Sequence, residues 1–543
     1  MEWLTPASLR RVAFALVLAV AALLVFIGLG KYSLWDDEAA QAMFAESTWQ
    51  TGDTSALIGR NIVAYDYGAE LRGLHDRATP PLTSYLMAPF VGSSTISTLR
   101  PRLPLALCGV AFFATFLIWV DLSGVDGLTA ALLCMGLLGN VSLFLFFRQA
   151  RYYGITLLCS LALAFLYLRW RGSRRALLAT SLLMAGILAA HTITYAAVVA
   201  TLLVDYTFWG RRKRSLTARE WAVVLVPQMI LGGAMLLVWN PFETARGGDL
   251  FADTVRDRLK MFWWNLRDLN NAELGCGLLL LAAPLLWRRR ADCAVFLRGP
   301  VAIVTYCAAV AVVSPKVLAI APPFADVRYL LPLIPLCIVL AALTLRTLAG
   351  RAPRLALALG LAAFGTNLLN GGPLLSQGLR STIASYLSEL RNPVPGPYEP
   401  TVRWIDDHVQ PGESIWVLPG YATFPLMYHA PKAIYAWQLR YPPEPQFKGL
   451  LAIHFLGLEP PDYMIAFGPY IGGVERVIES GRNLGYAYRK VATINEYWIS
   501  EHLPALNMHK FRDRKQFDPS FEAIYIYKRV PGDPAPPVSR GGR

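Results

Sequence analysis

Three adjacent carboxylates, Asp36, Asp37 and Glu38, follow the first apolar segment of this sequence almost directly. Neighbouring like charges repel each other, most strongly near a low-dielectric boundary, so such a run is costly unless it is used or begins a helix, whose dipole favours acids. A carboxylate in this place can remove the proton of a hydroxyl group as a general base. Three carboxylates also offer the oxygen ligands that Mg²⁺ and Mn²⁺ prefer. No cofactor is predicted, and a divalent cation is kept as an alternative.

Cationic and aromatic residues lie at the ends of other apolar segments, where they can face these acids. They are, in chain order, His75, Arg77, Arg148, Arg151, Tyr152, His191, Lys316, Arg328 and Tyr329. The planar guanidinium group of arginine can bond two oxygens of one phosphate. The plain alternative is that the arginines only extend to the membrane surface and that the histidine makes an interfacial hydrogen bond. Acids and cations on one face are the mixture needed to bind an anionic lipid head group and to move protons.

The composition indicates which elements carry these residues. Of the 543 residues, 55% are apolar and 16% are charged, whereas soluble domains contain about 25% charged residues. A helix needs about 20 apolar residues to cross a bilayer. Eleven segments approach that length, near 12–30, 103–120, 127–147, 153–168, 176–191, 193–209, 221–239, 272–287, 299–314, 329–345 and 355–371. The sequence therefore predicts a polytopic α-helical membrane protein with about eleven transmembrane helices, and a re-entrant or interfacial helix at 82–92.

Basic residues predict the orientation of these crossings. With the N-terminus in the cytoplasm, four basic clusters fall on the cytoplasmic side, as the positive-inside rule requires. The clusters are Arg169 to Arg175, Arg211 to Arg214, Arg288 to Arg290 and Arg346 to Arg354. They account for most of the net charge of +14, so no basic surface for nucleic acid is left. We expect a multi-pass protein of the bacterial inner (plasma) membrane with the acids outside, although the short acidic loop 121–127 then lies inside.

The tail after the last predicted span is expected to form a second domain. We expect a transmembrane domain at 1–374, whose first outer loop is 31–79, an extracytoplasmic α/β domain at 375–530 and a disordered tail at 531–543. Short runs of β-branched and aromatic residues predict strands at Ser414–Leu418, Tyr463–Phe467 and Glu522–Tyr527. The apolar periodicity predicts helices at Val402–His408 and Val474–Ser480.

Several short motifs occur in an order that resembles a known family. They are the acidic pair after the first span, Pro80-Pro81-Leu82, Arg148-Gln-Ala-Arg151-Tyr152, His191-Thr-Ile-Thr-Tyr195 and Arg328-Tyr-Leu-Leu-Pro332. Over about residues 10–370 the sequence resembles the GT-C glycosyltransferases, in the branch of the protein O-mannosyltransferases and the aminoarabinose transferase of lipid A. The resemblance implies the GT-C fold. It also implies inverting transfer of a monosaccharide from a polyprenyl-phosphate donor to a hydroxyl group of a cell-envelope glycan, lipid or protein.

The same resemblance implies roles for single residues. Asp37 is the first candidate for the base and Asp36 the second, because the acidic run leaves the register open by one, and Glu38 positions a neighbour or the sugar. The candidates for binding the donor phosphate and head group are Arg328 and Arg151, then Arg148 and Lys316, with Tyr329, Tyr152 and His191 beside them. Several relatives carry a basic residue before the Pro pair, where this chain has Thr79. Either Arg77 or His75 replaces it, or the later loops alone hold the phosphate.

Two other functions stay open. A flippase or transporter of lipid-linked sugars binds the same head group, but transporters usually carry their charges inside the spans, whereas here they cluster at one membrane boundary. A non-catalytic assembly factor for envelope polysaccharide does not need acids and arginines at one place. Convergence of Asp36 and Asp37 with Arg151 and Arg328 is therefore the geometry that favours a transferase.

Overall fold

The computed structural model of this chain describes most, but not all, of its residues. The described ranges are 6–92, 96–170, 172–240, 254–273, 275, 278–279, 282, 284–286, 293–314, 327–368, 379–392, 396–450, 453–482, 486–495 and 523–531. Three sequence predictions fall outside them: the placement of Lys316, most of the span at 272–287, and the tail beyond Pro531.

A bundle of mostly apolar helices makes up most of the chain before residue 368. Its described helices are α1 (Pro6–Phe26), α4 (Leu103–Leu122), α5 (Gly127–Gly139), α6 (Val141–Phe147), α7 (Tyr153–Arg169), α8 (Arg174–Ala190), α9 (Thr192–Asp205), α10 (Ala218–Val238), α11 (Val255–Ala272), α12 (Cys293–Val313), α13 (Ile334–Ala349) and α14 (Pro353–Gly365). Two further helices, α2 (Asp36–Thr51) and α3 (Leu82–Val91), lie in the loop after α1. Phenylalanines of α4 and α6 form much of the bundle core.

Six of the described helices are long and apolar enough to cross a membrane. Helices α5 and α6 meet at a bend of 52°, and the two together make a seventh crossing if they form a single span. Ten of the eleven predicted spans coincide with described helices or helix pairs. Helices α3, α7 and α14 are apolar but shorter. At about 1.5 Å per residue, the ten residues of α3 reach only half the thickness of a bilayer core. The chain is thus a multi-pass helical membrane protein, while the count of eleven crossings stays a prediction.

The second region is an α/β domain, as predicted. Helix α15 (Thr382–Arg391) precedes it and packs into the core of the bundle through Tyr386, and the helices of the domain itself are α16 (Tyr398–His408), α17 (Thr423–His429) and α18 (Ile471–Arg482). Its strands are β5 (Ser414–Leu418), β6 (Ile434–Tyr435), β7 (Tyr463–Phe467), β8 (Tyr486–Asn495) and β9 (Ala523–Pro531), in the sheet order β6-β5-β7-β9-β8. Strands β6, β5 and β7 run parallel, and β9 is antiparallel to both neighbours. The strands predicted at 414–418 and 463–467 have the same bounds in the structure.

The first outer loop packs into this C-terminal domain. The loop carries α2 and two small hairpins, β1 (Leu57–Ile58) with β2 (Asn61–Ile62) and β3 (Leu71–Arg72) with β4 (His75–Asp76). The buried side chains of α2 share one apolar core with those of β5, α17 and β7. The Asn61 side chain donates to the Ala433 carbonyl at 3.1 Å and accepts from the Tyr435 N–H at 2.8 Å. Burial and hydrogen bonds therefore fix the acidic loop to a domain more than 350 residues later in the chain.

Candidate active site at the membrane boundary

The Asp37 carboxylate lies in the first turn of α2, between two donors. Arg151 Nη2 lies 3.1 Å from Asp37 Oδ2, and the Tyr65 hydroxyl donates to Oδ1 at 3.1 Å. Arg151 comes from the turn between α6 and α7, and Tyr65 comes from the first outer loop. Acids in a first helical turn are favoured by the helix dipole, so α2 itself stabilises the negative charge. Elements far apart in the sequence thus meet at Asp37.

Asp36 has a different environment. Its Oδ1 atom is buried, and none of the described residues supplies a hydrogen-bond partner. Burial raises the pKa of Asp36 well above its ordinary value, and the charge of Asp37 raises it further, whereas the charges of Arg151 and Arg328 act in the opposite direction. A buried acceptor without a partner costs about 1–3 kcal/mol. Such a cost is common at sites that bind a ligand.

Two more buried polar atoms near the acids lack partners among the described residues. They are Arg151 Nε and the Tyr153 hydroxyl. The charges of Arg151, Arg328 and Asp37 all act on Tyr153, so it belongs to the same cluster. Because buried polar groups in proteins are almost always hydrogen-bonded, donors and an acceptor left together indicate a place for water or for a polar ligand.

An aromatic stack holds the two arginines. The Tyr152 and His191 rings lie parallel with centroids 3.9 Å apart, and the His191 and Tyr329 rings lie parallel at 5.7 Å. Arg151 packs over the Tyr152 ring at 5.5 Å and Arg328 over the Tyr329 ring at 5.3 Å. Each contact is a cation–π interaction, which fixes the guanidinium at its end of the stack. The structure thereby brings together five of the candidates from the sequence with Asp36 and Asp37.

His191 is fixed by its position at the start of α9. Its Nδ1 atom accepts from the Thr194 N–H at 3.2 Å and lies 2.8 Å from the Thr194 hydroxyl. The side chain is therefore a helix N-cap as well as the centre of the stack. This hydrogen bond agrees with the alternative in which His191 only makes a local hydrogen bond at the membrane interface. In addition, the His191 ring is stacked between the rings of Tyr152 and Tyr329.

Glu38 is buried and fully bonded. Arg102 Nε donates to its Oε1 at 2.9 Å and Arg102 Nη2 to its Oε2 at 2.5 Å. The Ala150 N–H donates to Oε1 at 2.7 Å. Because Ala150 directly precedes Arg151, this bond ties the start of α2 to the turn that carries the arginine. Glu38 thus links the first turn of α2 to Arg102 and to the turn that carries Arg151.

Three of the predicted cations lie elsewhere. Arg148 donates to carbonyl groups at the end of α1, including those of Val25 at 2.9 Å and Ile27 at 2.7 Å. Arg77 makes two hydrogen bonds to Asp53, at 2.9 and 2.6 Å, and His75 Nδ1 lies 3.4 Å from the same carboxylate. The structure does not bring these side chains into the group around Asp37. Arg148 and Arg77 are therefore held by local acceptors, and His75 lies beside Asp53.

Two of the three carboxylates are already paired with cationic side chains. The oxygens of Glu38 accept from Arg102, and those of Asp37 face Arg151 and Tyr65. Ligands that already pair with cationic side chains are poor ligands for a second cation. Within the described ranges, no three His, Cys, Asp or Glu side chains are arranged to hold a metal ion. Of the three carboxylates, Asp36 is the one that keeps an oxygen without a partner among the described residues, so the acids as arranged offer a divalent cation one open ligand.

Sequence reasoning missed Tyr65 and the contributions of the C-terminal domain. Tyr65 precedes Asp66 and Tyr67, which have positive φ angles of 45° and 60°. This turn directs the Tyr65 hydroxyl towards Asp37, and no motif marks it. From the C-terminal domain, Tyr398 and Tyr421 lie close enough to Asp36 for its charge to raise their pKa values, after the larger effect of burial.

The fold and the site define a class: a multi-pass membrane protein with acids and arginines at one end of its helical bundle, covered by an α/β domain. No protein-family model matches the sequence, and no curated protein matches it. Among solved structures, ArnT from Cupriavidus metallidurans in the apo state is similar, with 17% identity, coverage of 78% of this chain and 76% of that one, and a TM-score of 0.45. ArnT from the same organism bound to undecaprenyl phosphate is similar at 12% identity, 94% and 97% coverage, and a TM-score of 0.48.

ArnT is a protein of the branch that the sequence motifs resemble. Both TM-scores lie below 0.5 and both identities below 20%. The geometry of this chain's own site therefore carries the functional assignment.

Proposed function

We propose that this protein is an inverting GT-C glycosyltransferase that moves a monosaccharide from a polyprenyl-phosphate donor to a hydroxyl group of a cell-envelope acceptor. The observation that carries this proposal is the meeting of Asp36 and Asp37 with Arg151, with Arg328 held at the other end of the aromatic stack. The site combines a group that can accept a proton with fixed cations that can bind a phosphate. It also leaves buried polar atoms for a ligand to satisfy.

The proposed reaction is a single displacement. The acceptor hydroxyl transfers its proton to a carboxylate oxygen of Asp37, and the acceptor oxygen forms a bond to the anomeric carbon. The bond between that carbon and the phosphate oxygen breaks, and its electron pair leaves with the polyprenyl phosphate. Arg151 and Arg328 stabilise the charge that develops on this phosphate. A positioned base contributes about 10² to 10⁴ in rate, and Tyr65 keeps the Asp37 carboxylate oriented.

An apolar cavity supports a donor with a long isoprenoid chain. The cavity has a volume of about 380 Å³ and is lined by α7, α9, α12 and α13. One of its lining residues is Tyr306, whose hydroxyl donates to the Tyr329 carbonyl at 3.0 Å. The cavity therefore adjoins the aromatic stack. In the proposed complex the phosphate lies at the arginines and the first isoprene units lie in this cavity.

The location follows from the basic loops. We propose that the N-terminus is cytoplasmic and that the site and the C-terminal domain lie on the periplasmic side of a bacterial inner membrane, because the arginine clusters of the opposite loops then face the cytoplasm. Acids and arginines at the outer boundary can meet a donor whose head group is in the outer leaflet. The partners are then the bilayer, the lipid-linked donor and an envelope glycan, lipid or protein.

The test is donor turnover by the purified full chain. Liposomes containing the protein are supplied with a panel of undecaprenyl-phosphate monosaccharides and with an envelope extract as acceptor, and released undecaprenyl phosphate is measured by mass spectrometry. We expect release from at least one donor, and we expect the wild type to bind undecaprenyl phosphate itself. Absence of both binding and release for every donor contradicts the proposal.

The same liposomes test the alternative of a flippase. A flippase moves intact donor between leaflets without any acceptor, whereas the transferase converts the donor only when an acceptor is present. Movement of intact donor at the wild-type rate in an Asp37→Asn variant contradicts the transferase and favours transport.

A further inference from the structure

Two tyrosines lie at equivalent places in the C-terminal sheet. Strand β5 ends at Leu418 and is followed by the one-turn 3₁₀ helix that contains Tyr421, and β7 ends at Phe467 and is followed by the one-turn 3₁₀ helix that ends at Tyr470. Gly468 has a φ of +49°, which favours glycine, so the turn after β7 depends on that residue. The Tyr421 and Tyr470 rings pack edge to face, with centroids 6.5 Å apart and planes at 90°.

The two turns lie where α/β domains bind ligands. Strands β5 and β7 are parallel neighbours, and the chain goes from β5 to β6 on one side before it crosses to β7 on the other. The connections after β5 and into β7 thus leave in opposite directions. At such a switch point the loops after the carboxyl ends of the strands leave a crevice, which is the usual ligand site of open α/β sheets. Tyr421 and Tyr470 lie in the two loops that follow the carboxyl ends of these strands.

The one-turn helix that contains Tyr421 packs against α2, the helix that begins with Asp36 and Asp37 of the proposed active site. The charge of Asp36 acts on both Tyr398 and Tyr421, while Arg151 and Arg328 act on Asp36 from the helical bundle. The acids thus lie between cations on the membrane side and tyrosines on the domain side. Tyr421 and Tyr470 each expose 37% of their surface. Burial and the hydrogen bond to Tyr470 raise the pKa of Tyr421, so its hydroxyl stays protonated near neutral pH.

We propose that Tyr421 and Tyr470 bind a sugar ring of the acceptor, so that the acceptor of this enzyme is a glycan. This inference rests on the proposed transferase function, because it takes the carboxylates as the place where the acceptor hydroxyl reacts. A pyranose has an apolar C–H face and a rim of hydroxyl groups. Two partly exposed tyrosine rings packed edge to face offer an apolar ring face and two hydroxyl groups, which match both features. An acyl chain would use only the ring faces.

The test is oligosaccharide binding by the full chain in nanodiscs. The wild type and the variants Tyr421→Ala, Tyr470→Ala and Tyr421→Phe are applied to an array of neutral cell-envelope oligosaccharides, and dissociation constants are measured for those that bind. Tyr441→Ala is the matched control, because Tyr441 lies in the same domain with 56% of its surface exposed. Loss of one ring should weaken binding by about fivefold or more. Loss of the hydroxyl alone in Tyr421→Phe should weaken binding less than loss of the ring, and the control should stay within about twofold.

The inference is overturned if the wild type binds none of the oligosaccharides, or if both alanine variants bind as tightly as the wild type. Thermal unfolding of each variant identifies any that fails to fold. If one of the two alanine variants fails to fold, the other one alone serves as the test. Undecaprenyl phosphate is titrated into the same wild-type nanodiscs. Binding of this lipid without any oligosaccharide binding contradicts only the tyrosine site, whereas oligosaccharide binding without lipid binding or donor turnover contradicts the transferase.

Discussion

Two clusters with the same three residue types lie near opposite ends of α7. At the end of the helix, Arg298 Nε and Nη2 donate to the two oxygens of Asp205 at 2.9 and 2.7 Å, and the Tyr167 hydroxyl donates to the same carboxylate at 2.7 Å. At its start, Asp37 meets Arg151 and Tyr65 at 3.1 Å each. Tyr153 and Tyr167 are about 20 Å apart along the helix axis at 1.5 Å per residue.

The two clusters differ in whether every buried polar atom has a hydrogen-bond partner. The Asp205 cluster is closed: one arginine neutralises one carboxylate through two bonds, and the three side chains join α7, α9 and α12. The cluster at Asp37 is open, because a second carboxylate, Asp36, and the Nε of Arg151 keep buried atoms without partners among the described residues. A closed cluster stabilises the fold. An open one costs stability, and a ligand can recover it.

The largest expected effect is on donor turnover, which should depend on Asp37 and not on Asp205. Asp37→Asn keeps the shape of the side chain but removes the base, so donor turnover should fall by about a hundredfold or more. Asp205→Asn should instead lower the unfolding temperature, because Arg298 loses its counter-charge. Both variants are assayed for turnover and for thermal unfolding, with turnover normalised to folded protein. Equal losses of turnover in the two variants would remove the distinction between the clusters.

The second candidate base is examined in the same assay. Turnover by Asp36→Asn should exceed that of Asp37→Asn. A wild-type rate in Asp37→Asn together with a hundredfold loss in Asp36→Asn assigns the proton transfer to Asp36 instead.

The arginines give the next largest effect. Arg151→Gln and Arg328→Gln should each reduce turnover by about a hundredfold, since each removes a fixed charge that stabilises the departing phosphate. They should also weaken the binding of undecaprenyl phosphate. Arg214→Gln, which breaks the ion pair between Arg214 and Glu220 at 2.7 Å away from the apolar cavity, is the matched control and should leave the affinity for this lipid unchanged. Unchanged lipid affinity in both Arg151→Gln and Arg328→Gln contradicts their role at the phosphate.

Particular residues show what the sequence could predict. The acids were found because three adjacent carboxylates beside an apolar span are costly, and β5 and β7 were found because their β-branched and aromatic runs are short and strongly apolar. Strand β8 was missed because it alternates poorly, with Arg489 and Lys490 exposed next to each other. Charged residues of this kind are frequent on strands at sheet edges.

The site could be predicted only in part, because the partner of a charge depends on contacts between distant residues. Arg148 and Arg151 are three positions apart, yet one bonds to carbonyls at the end of α1 and the other faces Asp37. Tyr65 reaches the site because the next two residues have positive φ angles, and no sequence pattern predicts this turn. The sequence predicts which residue types gather at the boundary, but the fold decides which of them meet.

The tyrosines of the two clusters give a smaller effect. Tyr65→Phe removes one hydrogen bond to Asp37. A hydrogen bond to a charged acceptor contributes up to about 1.5–3 kcal/mol. Because the carboxylate loses part of its orientation, turnover should fall by about three- to tenfold. In Tyr167→Phe, Asp205 keeps both bonds from Arg298, so turnover should stay at the wild-type level. Steady-state rates for both variants check this. A larger loss in Tyr167→Phe than in Tyr65→Phe contradicts it.

The smallest effect is on the unfolding temperature, which should rise in Asp36→Asn and fall in Asp205→Asn at pH 7. Because burial raises the pKa of Asp36 in the folded state, folding favours its protonated form. This contribution is fully present below the unfolded value of about 3.9 and is lost as the pH rises through the folded value. At pH 7, Asp36→Asn should therefore unfold at a higher temperature than the wild type, and the difference should shrink towards pH 4. Asp205→Asn should unfold at a lower temperature than the wild type at pH 7. Unfolding scans between pH 4 and pH 8 measure both differences. A decrease at pH 7 in Asp36→Asn would mean that its carboxylate is satisfied and the cluster closed.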